Sequence, residues 1–385
     1  MDLSQRKYDV IIYGGSSITA KYTLKEFMVY NLKMAVAGRN YDRIDKNVDY
    51  VVDILECSIE NIEKISKLTK ILVNCAGPFI FCGEEVVKGC INTGTHYIDV
   101  TGENIFIEKI LHKYNEEAKK KGVLILNACG FDSIPADIGS EYLKRNMEGI
   151  NKSITSVLQF EKCQINKTSY ISLVHSLSAI GELRKIRGNK KKISKEGKQP
   201  IKKLTYSKET KSWWTIFMGT DIAIVKRTQK YFKEHGEEPM KYACYIDTGN
   251  LFNTILFWIG FFIIFAMAKF SFTKKLLLKF PTFFTNGIVP KTKPTEEEIE
   301  KGKFKMLFFG ESYVDGVLTK KKLTIEGGDP GYVATPYSAV STAQVLLEMI
   351  NQNKVTGGIH TPGSVLDIYK MVNLLEDKGI TFKIE

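Results

Sequence analysis

Residues Tyr8–Asn40 read YDVIIYGGSSITAKYTLKEFMVYNLKMAVAGRN, and this stretch decides the fold. Tyr8–Tyr13 is apolar with no charge after Asp9, the pattern of a strand buried on both faces of a parallel sheet. Gly14-Gly15 turns the chain. Ser16 and Ser17 can cap a helix and offer hydroxyls to a phosphate. From Thr19 to Asn31 the spacing of Tyr22, Leu24, Phe27, Met28 and Tyr30 is helical. A helix starting beside Ile18 and Thr19 aims free N–H groups and its positive dipole end at an anion. Met34–Ala37 is a second apolar strand and ends in Gly38-Arg39-Asn40.

A dinucleotide turn of GxxGxxG form needs glycine at 14, 17 and 20; this chain has Gly14, Ser17 and Ala20. Ser17 restricts how closely a pyrophosphate can approach, whereas Ala20 is a permitted stand-in for helix–strand packing. A buried strand–helix unit that binds nothing is the other reading. At the end of the second strand, NAD sites place an acid for the ribose 2′-OH. Arg39 stands here, and it suits the 2′-phosphate of NADP; an exposed arginine at a strand end is the alternative.

Outward from this unit, strands and helices alternate to about residue 145, which argues for a parallel α/β domain. Strands are expected at Tyr50–Leu55, Ile71–Asn74, His96–Asp99 and Val123–Asn127. Helices are expected at Ile59–Leu68, Glu84–Asn92 and Phe106–Lys120. Ligands of such sheets sit beyond the carboxyl ends of the strands. Asn74, Ala76, Gly77 and Pro78 are therefore candidates for the ribose and nicotinamide side, or an ordinary Gly-Pro turn. Asp132 and Ser133 are the polar pair to consider for catalysis; Ser133 equally suits a helix cap, with Pro135 and Asp137 in the opening turn.

The second half reads differently. Ile154–Phe160 alternates like a half-exposed strand, Ser169–Ile180 is helical, and Arg184–Lys211 is lysine-rich, a solvated loop or a basic face for anionic lipid. Trp213, Trp214, Phe217 and Met218 restart the order, and Ile222–Val225 reads as a strand. Thr248–Ala268 carries no charge over about twenty residues, enough helix for a bilayer core of roughly 30 Å. Aromatic and leucine side chains from Phe270 to Phe284 then interleave with Lys269, Lys274, Lys275 and Lys279, as in an interfacial helix on an anionic membrane. A membrane span and a protein core are the other readings of the apolar run. Beyond it come a helix at Glu296–Glu300, strands at Lys305–Gly310 and Lys322–Ile325, the stretch Gly331–Pro336 leading into a strong helix that ends near Ile350, a helix near Val365–Leu375 and a strand at Ile380–Ile384.

At 385 residues two domains are the natural prior. The net charge of +12 fits anionic lipid, nucleic acid or solubility, but no nucleic-acid signature accompanies it, so no nucleic-acid partner is expected. The seven cysteines lack CxxC spacing; Cys75, Cys82, Cys90 and Cys129 lie in or beside apolar runs and read as buried thiols in a reducing compartment, and no metal is expected. MDLSQRKYDV has no signal or transit pattern, so the chain is expected to face the cytoplasm.

Six stretches in order carry a resemblance: AVAGR at Ala35–Arg39, VNCAGP at Val73–Pro78, YIDVTGE at Tyr97–Glu103, GFDSIPAD at Gly130–Asp137, LLLKFP at Leu276–Pro281 and GYVATP at Gly331–Pro336. Nearly the whole chain resembles the saccharopine dehydrogenase-like oxidoreductases, a membrane- and lipid-droplet-associated group related to trans-acting enoyl reductases. The family's first turn reads GASGFTG. Gly14, Ser16 and Thr19 match it, while Ser17 and Ala20 replace its second and third glycines and Ile18 its phenylalanine. The resemblance implies an α/β fold with a Rossmann-type doubly wound parallel sheet at 1–150. It implies an α+β domain at 151–330 carrying a membrane-associating segment at about 251–284, and a C-terminal part at 331–385 that packs back on the first domain. The expected activity is NADP(H)-dependent oxidoreduction of a lipid or lipid-like substrate, on the cytoplasmic face of endoplasmic reticulum or a lipid droplet. Cofactor contacts fall on Gly14, Gly15, Ser16, Ser17, Ile18, Thr19, Arg39, Asn74, Ala76, Gly77 and Pro78. A second copy of the chain, as a homodimer, is a further partner. The altered glycine turn supports an alternative, a catalytically inactive Rossmann-fold protein on a lipid surface.

Overall fold

Tyr8–Tyr13 (β1) and Met34–Gly38 (β2) are strands buried at every residue but Asp9. The computed structural model describes residues 3–40, 44, 52–188 and 202–385. β1 lies inside a parallel sheet, between β2 and β4, with Asp53–Glu56 (β3), Thr69–Asn74 (β4), His96–Asp99 (β5), Leu124–Leu126 (β6) and the late strand Gly358–His360 (β13). Its order is β3-β2-β1-β4-β5-β6-β13, a doubly wound arrangement extended by one strand. Tyr50 and Val51 of the expected third strand lie outside the described residues. Side chains alternate across the sheet: Val10 and Ile12 join one core, Ile11 and Tyr13 the other.

The helices Ile18–Phe27 (α1), Ile62–Ser66 (α2), Phe79–Thr93 (α3) and Asn104–Lys121 (α4) make the crossovers. α3 opens at Phe79, directly after Pro78, rather than at the expected Glu84. The reason is a cap supplied from far along the chain, described below.

A second sheet holds Ile150–Glu161 (β7), Leu204–Ser207 (β8), Ser212–Ile216 (β9), Lys241–Gly249 (β10), Lys303–Val314 (β11), Val317–Gly328 (β12) and Thr381–Ile384 (β14). Its order is β14-β12-β11-β7-β10-β9-β8, with β7 and β10 parallel and the other neighbours antiparallel. The β11–β12 hairpin closes on Asp315-Gly316, both at positive φ, as a two-residue turn between right-twisted strands requires.

Ile134–Asn146 (α5) and Asp221–Glu234 (α8) lie between the sheets in one shared core. α5 sits so close to the second sheet that a β-carbon on Gly139 would come 2.6 Å from Ile325 and 2.9 Å from Phe308. The strand expected at Ile222–Val225 is instead the opening of α8. Its buried stripe of Ile224, Val225, Thr228 and Gln229 has helical spacing, but a four-residue window is too short to show the period.

The remaining helices are Lys167–Ser178 (α6), Ile180–Arg187 (α7), Leu251–Ala268 (α9), Ser271–Lys279 (α10), Pro281–Phe284 (α11), Glu296–Lys301 (α12), Thr335–Asn351 (α13), Pro362–Val365 (α14) and Ile368–Glu376 (α15). α13 lies against α1 and on the ends of β4 and β5. The single helix expected at Val365–Leu375 breaks at Leu366-Asp367, where Asp367 caps α15 by accepting from Lys370 N at 3.0 Å. Residues 189–201 of the lysine-rich stretch lie outside the described residues.

α9 is the one described helix long and apolar enough to cross a membrane. Asn250 caps it by accepting from Asn253 N at 2.8 Å, and within it only Thr254 and Ala268 are buried. It rests on α6 through a small cluster of Tyr170, Val174, Leu177, Ala268, Leu277 and Val289. Outside that contact Phe252, Phe262, Phe272 and Phe283 are 67, 59, 74 and 80% exposed.

Candidate functional site

The β1–α1 turn is stitched to the end of β2: Gly14 N and Gly15 N both donate to Ala37 O, at 2.9 Å each. Gly14 has φ +92°, and a β-carbon there would lie 2.7 Å from Ala76 N. Only glycine meets both demands, so the first turn and the β4–α3 loop touch at this residue. Ser17 occupies the cap position of α1, its Oγ accepting from Ala20 N at 3.1 Å. Ser16 is exposed. Ile18 and Thr19 open the helix, where N–H groups have no intrahelical acceptor, and no acid lies in that turn. The positive end of the helix is thus open to an anion. Arg39 stands exposed just past β2. It makes no hydrogen bond or ion pair among the described residues, and its charge reaches Tyr13 and Cys82 on the same edge.

Asn74, at the end of β4, is buried and fully used. Its Oδ1 accepts from Ala76 N at 2.9 Å and its Nδ2 donates to Tyr97 Oη at 3.1 Å. It shapes the loop, and the half-buried Ala76, Gly77 and Pro78 form the surface; the Gly77–Pro78 peptide is cis. The buried Glu103 holds the next segment. Oε1 accepts from Phe79 N at 2.8 Å and from Ser172 Oγ at 2.7 Å, and Oε2 accepts from Ile80 N at 2.8 Å. A carboxylate thus caps α3 at the end where its charge is most favoured.

Asp99 ties the end of β5 to the loop after β6. It accepts from Asn127 Nδ2 at 2.7 Å, Ala128 N at 2.9 Å and Thr101 N at 3.1 Å. Burial pushes its carboxyl up to about 6 despite these donors. In that loop, Asp132 is exposed to solvent yet walled by protein: its carboxyl lies where a β-carbon on Gly102 would overlap it. Desolvation by those walls raises its pKa. No donor meets this carboxyl among the described residues. Ser133 stands at the cap position of α5 but does not cap it; its Oγ meets Thr220 Oγ1 at 3.1 Å. Thr220 Oγ1 also donates to Asp132 O at 3.4 Å.

Behind this contact Asp221 is 2% exposed. Cys244 Sγ donates to its Oδ2 at 3.5 Å, and Oδ1 has no partner. Burial first, and the charge of Asp132 second, lift its carboxyl well above the ordinary range. Gly14–Thr19, Arg39 and Asn74–Pro78 therefore share the carboxyl edge of β1, β2 and β4, with Asp132 and Ser133 farther along at the end of β6. Sequence reading assigned neither Glu103 nor Asp221. Glu103 had a signal, an acid following Thr101-Gly102 past a strand end; Asp221 had none in its local sequence.

Chemically, the edge offers donors and a guanidinium at one end and a desolvated carboxyl of raised pKa at the other. Residues 11–126 match the family model described as the saccharopine dehydrogenase NADP binding domain. A Rattus norvegicus protein described as a saccharopine dehydrogenase-like oxidoreductase is 33% identical over 424 residues, covering 100% of this chain and 99% of its own. A Caenorhabditis elegans protein named lipid droplet localized protein is 28% identical and covers 98% of each chain. Among solved structures, apo saccharopine dehydrogenase (L-Glu forming) from Saccharomyces cerevisiae superposes with a TM-score of 0.62 over 98% of this chain and 99% of its own, at 11% identity, a likeness of fold. With a relative this similar along its whole length, the chain belongs to the saccharopine dehydrogenase-like oxidoreductases.

Proposed function

We propose that the chain is an NADP(H)-dependent oxidoreductase acting on a lipid or lipid-like substrate at a membrane or lipid-droplet surface. The observation that carries this reading is the NADP-binding family match over residues 11–126, on an edge with an open α1 N-terminus and an exposed Arg39 that has no partner among the described residues. The backbone of Gly14–Thr19 cradles the pyrophosphate, and Arg39 pairs with the 2′-phosphate through charge-assisted bonds. Ala76, Gly77 and Pro78, shaped by Asn74, frame the ribose and nicotinamide. NADPH, when bound, supplies the hydride. Asp132 holds a proton at its carboxyl oxygen for the reduced substrate, while Ser133 and Thr220 fix its backbone. The name of the nematode relative and the exposed phenylalanines of α9–α11 support a lipid surface, reached from the cytoplasmic face of endoplasmic reticulum or a lipid droplet.

The direct test is titration of the purified protein with NADPH, followed by nicotinamide fluorescence. Saturable binding is expected; none at roughly millimolar cofactor, the top of the usual substrate range, overturns the reading. One observation favours the second reading, an inactive Rossmann-fold scaffold: Ser17 fills the position where the fingerprint has glycine. Ser17→Gly should tighten NADPH binding if the turn is only narrowed. If that variant binds nothing, the scaffold reading stands.

A further inference from the structure

α6 touches the cofactor edge with one face and the apolar helices with the other. Thr168, Ser172 and His175 share the first face at helical spacing. A β-carbon on Gly77 would meet Thr168 Cγ2 at 3.3 Å, and Ser172 Oγ donates to Glu103 Oε1 at 2.7 Å. The His175 ring packs edge-on against Phe81, centroids 4.8 Å apart. Tyr170, Val174 and Leu177, two residues on and so roughly 200° round the helix, share the second face and pack with Ala268 and Leu277 of α9 and α10. Lys274 Nζ adds a bond to Ser178 Oγ at 3.4 Å.

The Glu103 carboxylate that receives Ser172 also caps Phe79 N and Ile80 N, which directly follow Pro78. Packed groups therefore run from the exposed helix to the nicotinamide-side loop. The cluster under α9 is a satellite of six buried residues, separate from the two large cores. A lipid surface that takes up the exposed phenylalanines and isoleucines of α9 therefore bears on α6 through this cluster, while Trp258 Nε1, donating to Thr215 Oγ1 at 2.8 Å, ties α9 to β9. Lys269, Lys274, Lys275 and Lys279 among these aromatics select an anionic lipid surface as the occupant.

We propose that α6 makes an anionic lipid surface part of the cofactor site: docking of α9 and α10 seats α6, and the Ser172–Glu103 bond holds the Ala76–Ile80 loop in its cofactor-binding form. This rests on the cofactor and lipid reading above. Ser172 and Glu103 are positioning residues, acting on the cofactor through the loop. Linkage then requires the converse, that cofactor strengthens lipid binding by the same factor.

The test measures NADPH affinity of the full chain with and without vesicles of phosphatidylcholine and phosphatidylserine, with flotation measured in parallel. Wild type should bind NADPH about fivefold or more tightly on vesicles, and NADPH should raise the floated fraction. Ser172→Ala should float yet show no vesicle effect on NADPH. Ser172→Thr, which keeps the hydroxyl, should restore it. A wild type that floats and binds NADPH with equal affinity in both conditions overturns this proposal alone. Absence of NADPH binding in every condition removes the cofactor reading and the proposal with it. Coupling that persists in Ser172→Ala, or that Ser172→Thr does not restore, overturns the assigned route.

Discussion

At the carboxyl ends of β1 and β4, polar atoms are tied one by one: Ser17 to Ala20, Asn74 to Ala76 and Tyr97, Glu103 to Phe79, Ile80 and Ser172. On the outer side of α9–α11 the surface is Phe, Ile and Leu with almost no directional contact. The first kind of surface selects a ligand by shape and charge, because each unmade bond leaves a costly polar atom. The second selects a solvent, because burial is non-directional and additive over area. A single substitution should therefore act sharply and on one ligand at the first, but weakly and cumulatively at the second.

The largest effect is expected from changing the apolar surface as a whole. With Phe252, Ile259, Phe262 and Phe272 all replaced by serine, the protein should stay in the soluble fraction, whereas wild type should float with liposomes. Each lost anchor removes about 2 kcal/mol of lipid burial, and the cluster beneath α9 is left intact. High salt should release little wild type; full solubility of wild type without detergent would show that this surface belongs to a protein contact.

Next comes Arg39→Ala. It should weaken NADPH roughly tenfold or more, the loss of a charged hydrogen bond of about 1.5–3 kcal/mol, and leave NADH nearly unchanged. Equal loss for both cofactors would make Arg39 structural and erase the contrast between the two surfaces.

Asp221 gives a pH effect on the polar side. Its folded pKa is raised by burial and by Asp132, so its stabilisation is full below the unfolded value of about 3.9 and is lost as pH rises toward the folded one. Asp221→Asn lacks this loss. The melting temperature of the variant should therefore gain on wild type from about pH 4 toward neutrality. A gap that narrows with rising pH would mean that Asp221 is ionised and paired.

The smallest effect is expected from Ile259→Ala alone. Ile259 is exposed, so folding stability should change by less than about 0.5 kcal/mol, with only a partial loss of flotation. A large fall in melting temperature would show that α9 is packed against protein in solution.

Much of the fold was legible because periodicity is local. β1 and β5 have the expected limits, and α9 and the exposed lysine-flanked helices after it follow from composition. Failures came where a distant residue decides. α3 starts early because Glu103 caps it across 24 residues, and the opening of α8 has a strand-like composition over four residues, too few to carry the helical period of its stripe. The turn with Gly14 and the exposed Arg39 could be read from spacing. Asp221 could not, since its meaning comes from Cys244 on β10 and Asp132 on another loop.

The pairing of β13 with β6, and of α13 with α1, has a consequence in time. Both elements follow α9 in the chain, so during synthesis the exposed apolar helix leaves the ribosome before the first sheet has its edge strand or its covering helix. A ribosome-held chain ending after β12 is expected to associate with membranes through α9. Its Val10–Ile12 face, deprived of Val340 and Ala343, should still be open to protease, and the finished chain should resist. Address would thus be chosen before the dinucleotide edge is complete, and molecules would finish folding already at the surface they serve.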